Sequence, residues 1–186
     1  MSDKTFYINE IFYSLQGEGM HTGTAAVFVR FSGCNLRCDF CDTDHQAATP
    51  MTAEEIISAA ASYPSRHVIL TGGEPMLQVT EELVEMFHRA GFMVHIETNG
   101  TLPVPEVIDW ITVSPKTSDT DYKGRIDELK VVYQGQDVEA IAAKFPSENR
   151  FLQPCSCYNT AEVVAYILDH PHWRLSLQTH KLIDIQ

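Results

Sequence analysis

Apolar residues along the chain fall into short runs between polar, glycine- and proline-marked breaks, and the runs alternate between two periods. Residues 6–13 carry Phe6, Ile8 and Ile11 and read as a first strand. Residues 26–31 are almost continuously apolar, as in a parallel strand covered on both faces, and only Arg30 interrupts them. Residues 68–70, 93–97, 110–113, 128–133, 151–152 and 173–177 read as further strands. Helical patterns lie between them. Thr52-Ala-Glu-Glu55 has the spacing of a capping box and opens a helix to about Ser62. Residues 80–90 place Leu83, Val84 and Phe87 on one side, with Gly91 as the stop. Further helices are expected over residues 138–145 and over 160–169, the latter capped by Thr160, and a short one over 105–109.

Strand and helix alternate about five times, which predicts an α/β fold with a parallel sheet and outer helices. In such sheets chemistry gathers at the carboxyl ends of the strands. The polar and glycine-rich clusters fall there: Cys34 to Cys41, Thr71-Gly72-Gly73-Glu74-Pro75, Glu97 to Gly100, Ser114-Pro115-Lys116, and Gln153. Five clusters on one edge predict one active site. The polar residues 117–124 read as a mobile loop.

Composition bounds the function. The 186 residues suit one domain, 1–186, and 44% of them are hydrophobic, as in an ordinary globular protein. The formal net charge of −12 and the lack of any basic run argue against nucleic-acid binding. No apolar run is long enough to span a bilayer and the first residues do not resemble a signal peptide, so a soluble, cytoplasmic protein is expected.

The most specific stretch is Cys34-Asn-Leu-Arg-Cys38-Asp-Phe-Cys41-Asp-Thr43. Its three thiols, directly after a strand, cannot close the shell of a four-iron cluster, so one iron would stay open to activate a small molecule. A zinc site of Cys34, Cys38, Cys41 and His45 is the rival, although zinc motifs usually supply ligands in two separated pairs. An odd total of five cysteines fits a disulfide framework poorly. Cys155 and Cys157 read as partly buried thiols. Arg30, inside an apolar strand, needs an anionic partner, either a neighbouring carboxylate or that of a substrate.

The three-cysteine spacing resembles the signature of radical S-adenosylmethionine enzymes. With Tyr13-Ser-Leu-Gln-Gly-Glu-Gly19, Leu70-Thr-Gly-Gly-Glu-Pro75, Ile96-Glu-Thr-Asn-Gly100, Ser114-Pro-Lys116 and Leu175-Ser-Leu-Gln-Thr-His-Lys181, the chain resembles the 7-carboxy-7-deazaguanine synthases along nearly its whole length. The resemblance implies a partial TIM-like barrel of about six parallel strands, too few for a closed eight-stranded one. It implies conversion of 6-carboxy-5,6,7,8-tetrahydropterin to 7-carboxy-7-deazaguanine with loss of ammonia, in queuosine and 7-deazapurine biosynthesis, S-adenosylmethionine being regenerated.

By the same resemblance, Cys34, Cys38 and Cys41 would hold a [4Fe–4S] cluster and Thr43 a Mg²⁺ ion. Phe40, Cys41, Asp42, Gly73, Ser114, Pro115, Lys116, Gln153, Pro154, Cys155 and Ser156 would meet S-adenosylmethionine, and Leu15, Gln16, Gly17, Arg30, Thr71 and Gln186 the pterin. Cys155 stands where the family often has Met. A flavodoxin or ferredoxin reductant and a homodimer are also implied. Two alternatives share some of these motifs: a radical activase acting on a partner protein, and a non-enzymatic zinc-binding module.

Overall fold

The computed structural model describes residues 4–41, 44, 47–117, 120 and 122–186. Among them the elements are β1 (Phe6–Leu15), β2 (Ala25–Phe31), β3 (Thr49–Met51), α1 (Ala53–Ala61), β4 (His67–Gly72), α2 (Glu81–Arg89), β5 (Met93–Thr98), β6 (Trp110–Val113) and β7 (Glu128–Tyr133). They continue with α3 (Val138–Lys144), β8 (Asn149–Pro154), α4 (Thr160–Asp169), β9 (Arg174–Leu175) and α5 (Thr179–Leu182). Single 3-10 turns lie at Pro75–Leu77 and Cys155–Cys157.

All nine strands join one open sheet in the order β3-β1-β2-β4-β5-β6-β7-β8-β9. From β2 to β9 every pairing is parallel, so six full strands and a two-residue seventh make the barrel-like run. β1 pairs antiparallel with β2 and β3 antiparallel with β1. That antiparallel edge was not anticipated, because β3 is a three-residue Thr-Pro-Met segment with no run to recognise.

The strand register sorts the side chains onto two faces. Val27, Val29, Val68, Leu70, Val94, Ile96, Ile111, Val113, Leu129 and Val131 point to the helices and form the main core with Ile56, Leu83 and Phe87. Full burial of a side chain of this size contributes about 1.5–3 kcal/mol. The alternate positions line a concave face. Phe12, Ala26, Phe28 and Ile69 make a small apolar cluster there. In register with it stand Arg30, Thr71, His95, Glu97, Trp110, Glu128, Lys130 and Gln153. The sheet is thus buried on both faces, as residues 26–31 suggested, but the concave side is largely polar.

Local signals explain the helix starts. Thr52 and Glu55 form the reciprocal capping box, and the Thr80 hydroxyl accepts from the Leu83 N–H at the head of α2. Two expectations are corrected. The N-cap of α4 is Asn159, not Thr160, whose hydroxyl instead donates to the Cys157 carbonyl at 2.9 Å. No helix forms over 105–109, where a turn closes with the Ile108 N–H on the Pro105 carbonyl at 3.2 Å. Five residues make little more than one turn, too short to offset the cost of nucleating a helix.

Candidate active site

A cleft of about 1360 Å³ opens on the concave face. It is lined by the upper ends of β2, β4, β5, β7 and β8, the cysteine loop, Ser114 and Lys116 after β6, residues 15–18, and the tail. Cys34, Cys38 and Cys41 all line it. None of the five cysteines forms a disulfide. Burial pushes the Cys38 thiol up, Lys116 opposes this, and the charges of Cys41 and Cys34 add to it, so the three sulfurs lie within electrostatic reach of one another. The Leu36 N–H donates to Cys34 Sγ at 3.4 Å. Among the described residues no trio of His, Cys, Asp or Glu is already drawn together around a metal ion. Three soft thiols on one loop facing a cleft, with a backbone N–H on a sulfur, are nonetheless the donor set that an iron–sulfur cluster takes.

The Gly-Gly-Glu-Pro turn fastens to this loop. The Gly73 N–H donates to the Phe31 carbonyl at 3.2 Å and the Glu74 N–H to the Gly33 carbonyl at 3.0 Å. A Cβ on Gly73 would lie 2.0 Å from the Gly33 oxygen and 3.0 Å from Cys34 Cβ, so only glycine permits the approach. Glu74 is fully buried. It accepts from the N–H groups of Met76 (3.0 Å) and Asn99 (2.7 Å) and from the Thr98 hydroxyl (2.8 Å), tying β4 to the end of β5. Asn99 in turn donates to Asn35 Oδ1 at 3.0 Å, inside the cysteine loop. Beyond β6, Lys116 donates to the Ser114 hydroxyl at 2.8 Å and sits 6.0 Å from the Phe40 ring centre. Burial, then the charge of Lys130, lowers its basicity.

The opposite wall is ionic. Lys130, 3% exposed, bridges Glu18 and Glu97, with 2.8 Å to the Glu97 carboxylate. Burial lowers the basicity of this lysine, but Glu18, Glu97 and Glu128 raise it well above the ordinary lysine value. Burial likewise opposes ionisation of Glu18, yet the Lys130 charge and hydrogen bond hold its carboxyl below the usual range. Gln16, Gln153 and Gln178 complete the set. Gln16 donates to Glu97 at 2.8 Å, while Gln153 and Gln178 donate to Glu18 at 3.2 and 3.0 Å. Glu128, beneath them, is pushed up to about 7 by burial, against the pull of Lys130.

Residues 16–24 reach this wall from the far end of the barrel. β1 runs against the parallel strands, so the loop after it starts at their amino ends and folds up into the concave face. The tail closes over it: the Thr179 N–H and hydroxyl both donate to the Gly17 carbonyl at 3.0 Å. Arg30 Nε donates to Glu10 at 2.7 Å, and Gln186 Nε2 donates to the other oxygen of Glu10 at 2.8 Å. Arg30 therefore has the carboxylate neighbour considered from the sequence, while the residue still lines the cleft.

Of the expected site residues, Leu15, Gln16, Gly17, Arg30, Cys34, Cys38, Phe40, Cys41, Thr71, Gly73, Ser114, Lys116, Gln153, Pro154, Cys155, Ser156 and Gln186 all line this one cleft. Pro115 is buried and does not line it. Asp42, Thr43 and the zinc candidate His45 lie outside the described residues, as do residues 118, 119 and 121 of the expected polar loop. Ser156 and Cys157 hold positive φ angles of 45° and 66°, so the turn carrying Cys155 and Ser156 is strained. Lys130 is the principal residue not foreseen; Glu18 and Glu97 stand in motifs read from the sequence, but not as partners of a buried lysine. Lys130 carried the same signal as Arg30, a lone cation inside an apolar strand, and its partners lie far away in sequence.

A family model described as the radical SAM superfamily matches residues 28–131. A 7-carboxy-7-deazaguanine synthase of Bacteroides thetaiotaomicron is 62% identical, the match covering 96% of this chain and 98% of that protein. This chain belongs to the 7-carboxy-7-deazaguanine synthase family. A family member from Bordetella pertussis is 44% identical over 97% of this chain and 99% of its own. The crystal structure of QueE from Escherichia coli superposes with a TM-score of 0.78 at 29% identity, covering 93% of each chain. That likeness gives the partial TIM-like barrel, left open as a sheet. Membership decides the cysteine loop in favour of a [4Fe–4S] cluster with S-adenosylmethionine over zinc. Cys38→Ala is expected to abolish cluster loading and turnover, with iron and sulfide content as the check.

Proposed function

We propose that this chain catalyses the radical ring contraction of 6-carboxy-5,6,7,8-tetrahydropterin to 7-carboxy-7-deazaguanine, with release of ammonia. The single observation that carries this is the cleft itself, where the three-thiol loop faces the Glu18–Lys130–Glu97 wall. The cluster and S-adenosylmethionine, when bound, supply the radical that removes a substrate hydrogen.

The protein's share is placement. Glu18, Glu97 and Gln16 offer acceptors and a donor at one end of the cleft, suited to the N–H-rich edge of an aminopyrimidinone ring. Lys130 offsets their charge, and its ammonium holds the Glu18 carboxyl below the usual range. Arg30, with Nε on Glu10, has its terminal nitrogens for the substrate carboxylate. Gly73, Ser114, Lys116 and the Gln153–Ser156 segment surround the cofactor, Lys116 beside the thiols. Thr43 would hold a Mg²⁺ ion through its hydroxyl. Thr43→Ala is then expected to keep the cluster and lose the response of the rate to added Mg²⁺; an intact response removes Thr43 from that role.

A flavodoxin or ferredoxin as electron donor, a homodimer and a cytoplasmic location belong to the same proposal, as does a single domain over 1–186. Among the described residues no helix is long and apolar enough to cross a membrane. The deciding experiment is anaerobic turnover of reconstituted protein with S-adenosylmethionine, reductant, Mg²⁺ and the tetrahydropterin, read by mass spectrometry. 7-Carboxy-7-deazaguanine is the expected product. Formation of 5′-deoxyadenosine alone would keep the radical chemistry and overturn the substrate.

A further inference from the structure

At the amino-terminal mouth of the barrel, below the ionic wall, lies a second cluster that the chemistry above does not use. His21, in the loop after β1, packs its ring 4.5 Å from that of His95 and 4.6 Å from that of Trp110. His67 stands 5.4 Å from His95. These side chains come from the loop and from β4, β5 and β6, and none lines the cleft. His21 Nε2, His67 Nδ1, His95 Nε2 and Trp110 Nε1 are all buried without a hydrogen-bond partner among the described residues. Apolar rings would pack there without that cost, since each orphaned nitrogen forfeits its solvation.

The cluster grips the loop that reaches the cleft. The Gln16 N–H donates to the Thr24 carbonyl and the Gly23 N–H to the Gln16 carbonyl, both at 2.8 Å, closing residues 16–24 into a compact unit. On one side Gly19 and Met20 are held by Ser176 and Glu128, each at 2.9 Å. On the other side the hold is His21, three residues beyond Glu18. We infer that His21 is a positioning residue for the substrate site, caged by His95, His67 and Trp110 so that it fixes from below the loop that presents Gln16 and Glu18 to the cleft. The inference rests on the proposed pterin site, because it assigns Gln16 and Glu18 to substrate.

The burial that packs His21 against His95 favours the neutral form of both rings. Burial lowers His21, and the nearby His67 charge lowers it further. Burial, then His21 and His67, brings His95 down to about 4, with Asp109 opposing. Asp109 is itself paired with His88 of α2 at 2.9 Å, and Glu128 is the remaining charged group at the loop's base. For a base whose folded pKa is depressed, the stabilisation is complete above the unfolded value of about 6.5 and is lost as pH falls from there towards 4. Acid therefore loosens the loop in that window.

The test measures KM for the tetrahydropterin, KM for S-adenosylmethionine and kcat on reconstituted full-length wild type, His21→Ala and His21→Phe. His21→Ala is expected to raise the pterin KM about tenfold while the S-adenosylmethionine KM stays within about twofold. His21→Phe, which refills the cage, is expected to restore the pterin KM and to blunt its rise between pH 6.5 and 5. Should His21→Ala not fold, His21→Gln is measured in its place. An unchanged pterin KM alongside a lower melting temperature would overturn the inference, and so would a parallel loss of both substrates. Failure of the proposed function shows separately, as wild type making no deazaguanine from this pterin.

Discussion

Lys130→Met is expected to lower the melting temperature by about 10 °C and to raise the pterin KM steeply. Breaking a buried ion pair by removing one partner costs about 3–5 kcal/mol, because the charges left behind lose their counter-ion in a site that solvates them only in part. In a chain of this size each kcal/mol moves the midpoint by about 2–4 °C. Here two carboxylates, Glu18 and Glu97, lose one shared cation that is 3% exposed. The effect has a diagnostic reversal. Adding Glu18→Gln and Glu97→Gln to Lys130→Met removes the stranded charge, so stability should largely return while substrate still lacks the charged acceptors, each replaced by one neutral amide oxygen. Thermal unfolding and KM on wild type, Lys130→Met and the triple variant separate these effects. Recovery of both together would mean that the carboxylates do not face substrate.

Gly73→Ala carries the second large effect. Its new methyl would meet the Gly33 carbonyl oxygen at 2.0 Å, a backbone atom that cannot swing aside. Relief requires the cysteine loop to move away from the end of β4, carrying Cys34 with it. Misplacement of this order near reacting groups costs about 100-fold in rate. The expected outcome is a fall of that size in kcat/KM, with a raised S-adenosylmethionine KM and reduced iron content, while the fold stays intact by circular dichroism. Normal iron content and an unchanged KM would show that the loop accommodates the methyl.

The parts of this protein that were legible in its sequence are those written in local code. Strands β6 and β7 and helix α4 keep the limits read from the sequence, and Thr52 starts α1 as its capping-box spacing suggested. The cysteine loop was legible because three metal-binding thiols in one short segment have few other uses. What stayed hidden depends on distant partners. Nothing in Glu128-Leu-Lys-Val-Val-Tyr133 tells that Lys130 meets carboxylates 33 and 112 residues away. Nor does the glycine-rich segment after β1 reveal that it rises into the barrel from the opposite end. β3 escaped notice because its existence depends on pairing with β1 rather than on its own propensity.

An open sheet also has two free margins, and this one has both disarmed. At one margin Tyr7 turns its amide and carbonyl towards Gln78 and Ser32, so the Tyr7–Pro50 pair makes no bond between β1 and β3. The backbone nitrogen of Pro50 consequently faces outward, where a donor would otherwise invite another chain to add a strand. At the other margin β9 offers two residues before the chain leaves to dock on Gly17. The barrel can thus stay unclosed, wide enough for two bound small molecules, without becoming a template for stacking copies of itself edge to edge.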